Sequence, residues 1–214
     1  MGKTCYIFAS GCYDNKSIEC FNDESLIIAA DGGYDYCVAN NINVDIIVGD
    51  FDSIKNNTND HKCLKFSREK DETDTLLAID YGIKQGYKTF VIYGGLGNRI
   101  DHTLGNIQLL KYMLIKNCKG YLISDEQVVC AIDKEIYFNN TYKGYISILS
   151  IDDVSNITIK GLKYEITNYD IVNSYPLGIS NEFIDNSDKE ICIIVNKGTV
   201  LVIFDRIYLK NILY

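Results

Sequence analysis

The segment 75–123 decides the fold, because helical and strand-like patterns alternate along it. It reads TLLAIDYGIKQ at 75–85, TFVIY at 89–93, HTLGNIQLLKYMLIK at 102–116 and YLI at 121–123. In the first stretch Leu76, Ile79 and Ile83 recur on one helix face, and Gly86 follows as a natural stop. The third stretch has a broad apolar stripe at helical spacing, whereas the two short apolar runs are typical of buried strands. Strand, helix and strand at this spacing predict right-handed crossovers in a parallel sheet.

Four further apolar runs precede this segment, each bounded by Gly, Asp or Ser. They are Thr4–Ala9, Leu26–Ala30, Asp45–Val48 and Cys63–Phe66. Together with the strands above they predict an α/β domain over residues 1–125, built on a Rossmann-like parallel sheet with helices on both faces.

After Ser124 the pattern changes to short, often alternating apolar runs separated by turn-like Asn, Asp, Gly and Lys clusters, with no helical period. The predicted strands are Val128–Ile132, Glu135–Phe138, Tyr145–Ser150, Ile157–Ile159, Tyr164–Thr167, Glu182–Ile184, Ile191–Val195 and Val200–Phe204. Residues 126–214 are therefore predicted to form an all-β domain, an antiparallel sandwich or barrel.

Composition limits the function classes. The chain has 214 residues and a net charge of −8, which argues against a nucleic-acid or anionic-membrane partner, since both require a basic face. Its eight cysteines form no Cys-x-x-Cys pair and several lie in apolar runs, which favours buried thiols in a reducing compartment. Met1-Gly2-Lys3-Thr4 leads into a strand without a signal-peptide core, and no run approaches the roughly 20 apolar residues of a membrane span, so we expect a cytoplasmic protein.

Polar motifs follow the predicted strands at four points. They are Asp31-Gly32-Gly33, Gly49-Asp50-Phe51-Asp52-Ser53, Asp71-Glu72-Thr73-Asp74 and the stretch from Gly94 to His102. Each alone could be a turn, a helix cap or a plain strand-to-helix loop. The ends of parallel strands meet at one edge of a sheet, however, and this edge is where open α/β sheets bind ligands.

The chemistry of these motifs points to a metal and a phosphate. Six aspartates at one edge would repel one another unless a divalent cation lay among them, and Mg²⁺ prefers carboxylate and phosphate oxygens. These residues are Asp31, Asp50, Asp52, Asp71, Asp74 and Asp101. The glycines of the fourth motif allow close approach to a phosphate, Arg99 can bind it with two parallel hydrogen bonds, and a helix begins near Asp101. Together they outline an ATP–Mg²⁺ site.

Other readings of these motifs remain open. Asp50-Phe51-Asp52 also fits the Asp-x-Asp nucleophile of haloacid-dehalogenase-like phosphatases, although that fold usually carries the motif on its first strand. The sequence contains no Gly-x-Gly-x-x-Gly fingerprint, so the interpretation of this chain as a dinucleotide-binding enzyme lacks its main support.

The ordered set of motifs resembles the thiamine pyrophosphokinase family, and the resemblance covers essentially the whole chain. In the second half, Gly161-Leu162-Lys163-Tyr164 and the stretch from Leu177 to Glu182 are similar to the family's C-terminal signatures. The resemblance implies transfer of the terminal diphosphate of ATP to the hydroxyl of thiamine, giving thiamine diphosphate and AMP, with Mg²⁺ as cofactor. Residues 1–125 would then be the catalytic, nucleotide-binding domain and residues 126–214 the thiamine-binding domain.

The resemblance also implies residue roles. A catalytic and metal-binding set would comprise Asp50, Asp52, Asp71, Asp74 and Asp101. Nucleotide contacts would come from Asp31, Gly32, Arg99, Asp101 and His102. Thiamine contacts would come from Tyr164, Ser180 and Asn181, in a pocket at the interface of a homodimer. A related pyrophosphokinase acting on a pterin alcohol, or a non-catalytic thiamine- or nucleotide-binding regulator, are the alternatives.

Overall fold

The computed structural model describes residues 3–13, 21–58, 61–67, 69, 71–97, 99–184, 190–209 and 212. The chain divides into two compact units, Met1–Asp125 and Glu126–Tyr214. The first contains parallel strands and helices, and the second contains antiparallel strands. The predicted mixed α/β class, a parallel sheet followed by antiparallel sheets, is confirmed.

The first unit is built on six parallel strands. They are β1 (Thr4–Phe8), β2 (Leu26–Ala30), β3 (Ile46–Gly49), β4 (Cys63–Lys65), β5 (Thr89–Tyr93) and β6 (Lys119–Ile123). Their spatial order is β6-β5-β1-β2-β3-β4, and every neighbouring pair is parallel. All five residues of β1 are buried, as a central strand of a covered parallel sheet requires.

Three helices accompany this sheet: α1 (Gly33–Ala39), α2 (Asp74–Lys84) and α3 (Ile100–Ile115). The predicted helices 75–85 and 102–116 correspond to α2 and α3, with starts one and two residues earlier. Helix α1 was not predicted, because it is only seven residues long, has no side-chain cap and is rich in aromatic residues. It packs on β1 and β2, while α2 packs on β1, β2 and β3.

The second unit contains two antiparallel sheets. Their strands are β7 (Gln127–Ile132), β8 (Glu135–Phe138), β9 (Tyr145–Ser150), β10 (Val154–Lys160), β11 (Ile166–Val172), β12 (Asn181–Glu182), β13 (Ile191–Lys197) and β14 (Val200–Asp205). One sheet has the order β12-β9-β14-β7 and the other β11-β10-β13-β8. Rings of Phe138, Tyr142, Phe183 and Phe204 meet edge to face and form an aromatic core.

Two predicted strands are displaced. The predicted strand Glu182–Ile184 corresponds to β12, which covers Asn181–Glu182. The prediction gave Tyr164–Thr167, whereas β11 covers Ile166–Val172. The side chain of Asn181 explains the shift, because it accepts a hydrogen bond from the Tyr164 backbone N–H at 3.0 Å and donates one to the Tyr164 carbonyl at 2.9 Å. Tyr164 is therefore held in a turn and cannot begin the strand.

The cysteines that lie in the described part of the chain are all free thiols, and only Cys12 among them is exposed. None of the helices formed by the described residues is both long and apolar enough to cross a membrane.

The packing of α2 leads to a stability prediction. A Cβ atom at Gly82 would lie 2.6 Å from Cε1 of Phe90 and 3.0 Å from Sγ of Cys5. Because Phe90 is fully buried and cannot move aside, we expect Gly82→Ala to lower the free energy of unfolding by about 1–3 kcal/mol. Urea denaturation followed by circular dichroism measures this change.

Gly105, inside α3, is the matched control, since nothing lies within 4 Å of a Cβ built there. Gly105→Ala should raise the free energy of unfolding by about 0.5–1 kcal/mol through helix propensity alone. Equal effects of the two substitutions would contradict the close packing of α2 on β1 and β5.

Candidate functional site

The site lies where the strand order of the first unit changes direction. From β1 the chain adds β2, β3 and β4 on one side, and β5 and β6 on the other. The connections from β1 to β2 and from β5 to β6 therefore leave this edge in opposite directions and flank a crevice, the usual position of ligands in open parallel sheets. The predicted motifs after β2, β3 and β5 all reach this edge.

A cavity of about 390 Å³ occupies the crevice. Its lining combines small residues, acids and two potential cations. It consists of Ala9, Ser10, Gly11, Ala30, Asp31, Asp50, Asp52, Ser53, Thr73, Asp74, Thr75, Gly94, Gly95, Gly97, Arg99, His102 and Asn106. Among the predicted site residues, six line it: Asp31, Asp50, Asp52, Asp74, Arg99 and His102.

Three carboxylates form an acidic cluster at one wall of the cavity. Asp31, Asp50 and Asp52 each offer an oxygen, and these oxygens all lie within 4.8 Å of one another. Asp31 is buried, Asp50 is half-buried and Asp52 is exposed. The backbone N–H of Asp52 donates to Oδ1 of Asp50 at 3.1 Å, and the Ser53 hydroxyl donates to Oδ1 of Asp52 at 3.0 Å. These bonds fix the two outer carboxylates relative to each other.

The backbone around the cluster has an unusual conformation. Phe51 adopts φ 69°, a left-handed conformation that costs a bulky residue free energy. Side chains two positions apart share a face of an extended strand but are spaced along it, whereas this turn accompanies oxygens of Asp50 and Asp52 that lie within 4.8 Å of each other. The ring of Phe51 lies 5.9 Å from the Lys65 ammonium, a cation–π contact that helps to retain the turn.

Helix α2 delivers Asp74 to the cavity. Thr73 caps this helix, its hydroxyl accepting from the Leu76 N–H at 3.3 Å, and Asp74 occupies the first helical position. Asp71, three residues earlier, is exposed and is not among the residues that line the cavity. Of the predicted pair Asp71 and Asp74, only Asp74 lines the cavity.

Glycine backbones form the wall opposite the acidic cluster. The N–H of Gly11 donates to the Gly94 carbonyl at 2.9 Å, and a Cβ at position 11 would lie 2.2 Å from that oxygen. Only glycine fits there, so the loops after β1 and β5 remain in contact beyond the sheet. Gly94 and Gly95 continue this wall; Asn98, in the same motif, lies outside the described residues.

Arg99 and Asp101 stand at the start of α3 and bind each other. Nε of Arg99 donates to Oδ1 of Asp101 at 3.2 Å, and Nη2 donates to Oδ2 at 2.6 Å. The His102 backbone N–H also donates to Oδ1 of Asp101, at 3.0 Å. Asp101 is not among the cavity-lining residues, whereas Arg99 and His102 are.

The predicted acceptor-binding residues lie in the second unit. Tyr164 is 59% exposed, and its backbone is bound on both sides by Asn181 as described above. Asn181 is buried, so its amide holds a turn and does not face solvent. Ser180 is exposed, has φ 59° and donates its N–H to the Ser147 hydroxyl at 3.1 Å.

Several residues that line the cavity were not predicted from the sequence. Asn106 is buried and donates from Nδ2 to the Gly95 carbonyl at 2.7 Å, which fixes the glycine wall from behind. It follows His102 by four positions on α3, and this helical spacing was the available signal. Ser10 carried no such signal, because a lone serine after a strand is common, and Ser53 was part of the predicted motif after β3 but was given no role of its own.

The acidic cluster has the donor set of a divalent-cation site. Oxygens on opposite sides of a six-coordinate Mg²⁺ or Ca²⁺ lie about 4–5 Å apart, which matches the separation in the cluster. Oδ1 of Asp31 is moreover buried without a hydrogen-bond partner among the described residues. A hard cation would satisfy this oxygen, so the residues fit the metal that the sequence predicted.

Two family models match the chain. The description "Thiamin pyrophosphokinase, catalytic domain" covers residues 18–136, and "Thiamin pyrophosphokinase, vitamin B1 binding domain" covers residues 132–200.

Curated relatives carry similar names. The chain is 35% identical over 122 residues to thiamine pyrophosphokinase of Bacillus subtilis, an alignment covering 56% of this chain and 57% of the relative. It is 25% identical over 186 residues to thiamin pyrophosphokinase 1 of Caenorhabditis elegans, covering 78% of this chain and 75% of the relative. In the alignments with the B. subtilis protein and with thiamine pyrophosphokinase 2 of Arabidopsis thaliana, the chain spans 57% and 56% of those relatives.

Solved structures agree with this result over nearly the whole chain. Thiamine pyrophosphokinase from B. subtilis superposes with a TM-score of 0.79 at 27% identity, covering 94% of this chain and 98% of that one. Thiamin pyrophosphokinase from Candida albicans shares the fold, with a TM-score of 0.74 at 16% identity over 95% of this chain and 89% of that one. The catalytic-domain model matches more than half of the residues of this chain, which therefore belongs to the thiamin pyrophosphokinase family.

Proposed function

We propose that this protein transfers the terminal diphosphate of ATP to the hydroxyl of thiamine, giving thiamine diphosphate and AMP. The observation that carries the proposal is the acidic cluster of Asp31, Asp50 and Asp52, facing a glycine-lined wall across one cavity. A triphosphate needs both a cation-binding surface and close backbone approach, and this cavity offers the two together.

In the proposed reaction the thiamine oxygen forms a bond to the β-phosphorus of ATP. The bond between that phosphorus and the oxygen bridging to the α-phosphorus breaks, AMP leaves, and the hydroxyl proton passes to solvent or to an aspartate. Chemistry of this kind depends mainly on positioning and charge neutralisation. Asp50, Asp52 and Asp74, which line the cavity, are the proposed metal-facing acids, and bound Mg²⁺ would offset the phosphate charge.

We propose a more indirect role for Asp101. Its carboxylate is engaged by Arg99 at 2.6 Å, so it acts on the nucleotide by orienting the guanidinium beside the cavity. Arg99 and His102 are the proposed phosphate contacts, with Gly32 and Asp31 at the neighbouring loop. Asp71 is exposed next to Thr73 and Asp74, and we keep it as a candidate ligand that is reached only when the nucleotide is bound.

The second unit is the proposed thiamine-binding domain, and residues 1–125 are the proposed catalytic domain. We propose that the two antiparallel sheets of the second unit form a β-sandwich, and that the first unit is Rossmann-like with helices on both faces.

We also propose that a homodimer forms the thiamine pocket. Tyr164 offers an exposed ring for a cationic thiazolium, Ser180 an exposed hydroxyl, and Asn181 the support that holds Tyr164. A cytoplasmic location is proposed as well, supported by the free thiols of the described cysteines.

The first test is a product analysis. We expect the protein incubated with ATP, Mg²⁺ and thiamine to yield thiamine diphosphate and AMP in equal amounts, measured by liquid chromatography. Formation of ADP would indicate an ordinary kinase, and release of inorganic phosphate alone would indicate the phosphatase reading. Replacing thiamine by a pterin alcohol tests the related pyrophosphokinase, and binding without any product would identify a regulator.

Loss of a cluster carboxylate should abolish turnover. We expect Asp50→Asn to lower kcat by about a hundredfold or more, because it removes charge where the phosphates are neutralised. Asp23→Asn removes an exposed carboxylate from a turn and is the matched control, with kcat unchanged. Near-normal turnover of Asp50→Asn, with thiamine diphosphate as product, would exclude Asp50 from the site.

The Arg99–Asp101 pair predicts a pH dependence. The hydrogen bonds from Arg99, followed by that from the His102 backbone, lower the pKa of Asp101 from 3.8 to about 2. The stabilising contribution of the ionised pair is therefore complete above pH 3.8 and is lost as the pH falls toward 2. In Arg99→Gln the pKa of Asp101 should rise toward 3.8, measured by the NMR shift of its carboxyl carbon.

Arg206→Gln, in the second unit, serves as the matched control and should leave the pKa of Asp101 unchanged. A pKa of 3.8 for Asp101 in the unsubstituted protein would show that the pair does not form in solution.

A further inference from the structure

The side chain of Tyr13 closes the loop that follows β1. The first three residues of this loop, Ala9, Ser10 and Gly11, line the cavity, whereas Tyr13 is not among the lining residues. The Tyr13 hydroxyl donates a hydrogen bond to the carbonyl of Ala9, four positions earlier. Burial raises the pKa of Tyr13 well above its usual range, so the hydroxyl stays protonated and remains a donor. The chain therefore folds back on itself directly after the residues that line the cavity.

Two further contacts hold the ring of Tyr13. It stacks on the ring of Tyr36 in α1, with the ring centroids 3.7 Å apart and an interplanar angle of 13°. It also fills the space beside Gly94, because a Cβ built there would lie 2.5 Å from Cζ and 2.6 Å from Oη of Tyr13. Gly94 directly follows β5, so the ring contacts both α1 and the loop after β5.

The backbones of these two loops are paired beside the ring. The N–H of Ala9 donates to the Tyr93 carbonyl at 2.9 Å, and the N–H of Gly11 donates to the Gly94 carbonyl at 2.9 Å. Gly94 has φ 65°, so a side chain at this position would be strained as well as in collision with Tyr13. Tyr13 packs against the second of these backbone bonds and so supports the position of Gly11 from outside the cavity.

We propose that Tyr13 is a positioning residue for the nucleotide, which holds the backbone of Ser10 and Gly11 in the conformation that the phosphates of ATP meet. It acts through these two residues, since it does not line the cavity itself. A loop that is already folded loses less conformational entropy when a ligand binds, and the affinity is correspondingly higher. The inference rests on the proposed function, because it takes ATP as the occupant of the cavity.

The first experiment measures ATP binding to the full chain by isothermal titration calorimetry, with Mg²⁺ and without thiamine. Tyr13→Phe keeps the ring and removes the hydroxyl. We expect its Kd for ATP to be about two- to tenfold higher than that of the unsubstituted protein, which corresponds to the loss of one hydrogen bond from the loop. An unchanged Kd would overturn the proposal.

Tyr87→Phe is the matched control. The Tyr87 hydroxyl also donates to a backbone carbonyl, that of Glu24 at 3.2 Å, and Tyr87 does not line the cavity. Its loss should leave the Kd for ATP unchanged, and an equal rise in both variants would indicate a general loss of stability and overturn the proposal. Tyr13→Ala also removes the contacts with Tyr36 and Gly94, so its Kd should exceed that of Tyr13→Phe.

Amide hydrogen exchange, followed by NMR without any ligand, tests the loop itself. The N–H of Gly11 is bonded to the Gly94 carbonyl, so its exchange reports opening of the loop. In Tyr13→Phe the Gly11 amide should exchange about two- to tenfold faster, while the amides of β1 exchange as before. Unchanged exchange at Gly11 would show that Tyr13 does not hold the loop, and would overturn the proposal.

Steady-state kinetics separate positioning of the nucleotide from an effect on the chemical step. In Tyr13→Phe the KM for ATP should rise, whereas kcat and the KM for thiamine should stay unchanged. A lower kcat with an unchanged KM for ATP would mean that the phenol acts on the reaction and not on nucleotide binding, which would overturn the proposal.

The binding experiments and the product analysis can fail independently. If Tyr13→Phe weakens ATP binding but the unsubstituted protein makes no thiamine diphosphate, the positioning role stands and the proposed activity fails. If the protein makes thiamine diphosphate and Tyr13→Phe binds ATP as tightly as the unsubstituted protein, the activity stands and the positioning role fails.

Discussion

The pairing of β1 with β2 on one side and β5 on the other is the constraint on which the first unit depends. Strand β1 is fully buried, so all its backbone groups must be bonded within the sheet, and each neighbour is parallel. Because β2 and β6 lie on opposite sides of the β1–β5 pair, the connections from β1 to β2 and from β5 to β6 leave the same edge in opposite directions. The crevice between those connections, and hence the cavity, follows from this arrangement.

Several features of the site are consequences of bringing loops together at this edge. The contact of Gly11 with Gly94 is possible only without side chains, and the approach of Gly49 to Asp31 joins the loops after β2 and β3. These contacts make the edge rigid, so the acidic cluster is held by the scaffold and by its own hydrogen bonds. Rigid acids with a fixed spacing discriminate among cations better than mobile ones.

The sequence predicted the architecture where the local pattern and the packing agree. Strands β2, β5, β8 and β9 have the predicted bounds, and α2 and α3 differ by one or two residues at their starts. The pattern could not identify α1, whose short aromatic sequence forms a helix only because β1 and β2 provide a surface for it. It also misplaced β11, because the bonds from Asn181 to Tyr164 join residues 17 positions apart.

Prediction of the site was limited in the same way. Strand-end motifs indicated which acids reach the edge, and Asp31, Asp50, Asp52 and Asp74 do line the cavity. Nothing local distinguishes Asp71 or Asp101 from them, since exposure and the partner of a carboxylate are set by the surrounding fold. The bond between Asp101 and Arg99 has a further consequence, because Asp101 acts as an internal counter-anion that occupies Nε and Nη2 of the guanidinium and offsets its charge. A weak monovalent anion gains little from a cation that is already partly neutralised, whereas a polyphosphate with several contacts elsewhere in the cavity gains more, which provides selectivity against simple salts.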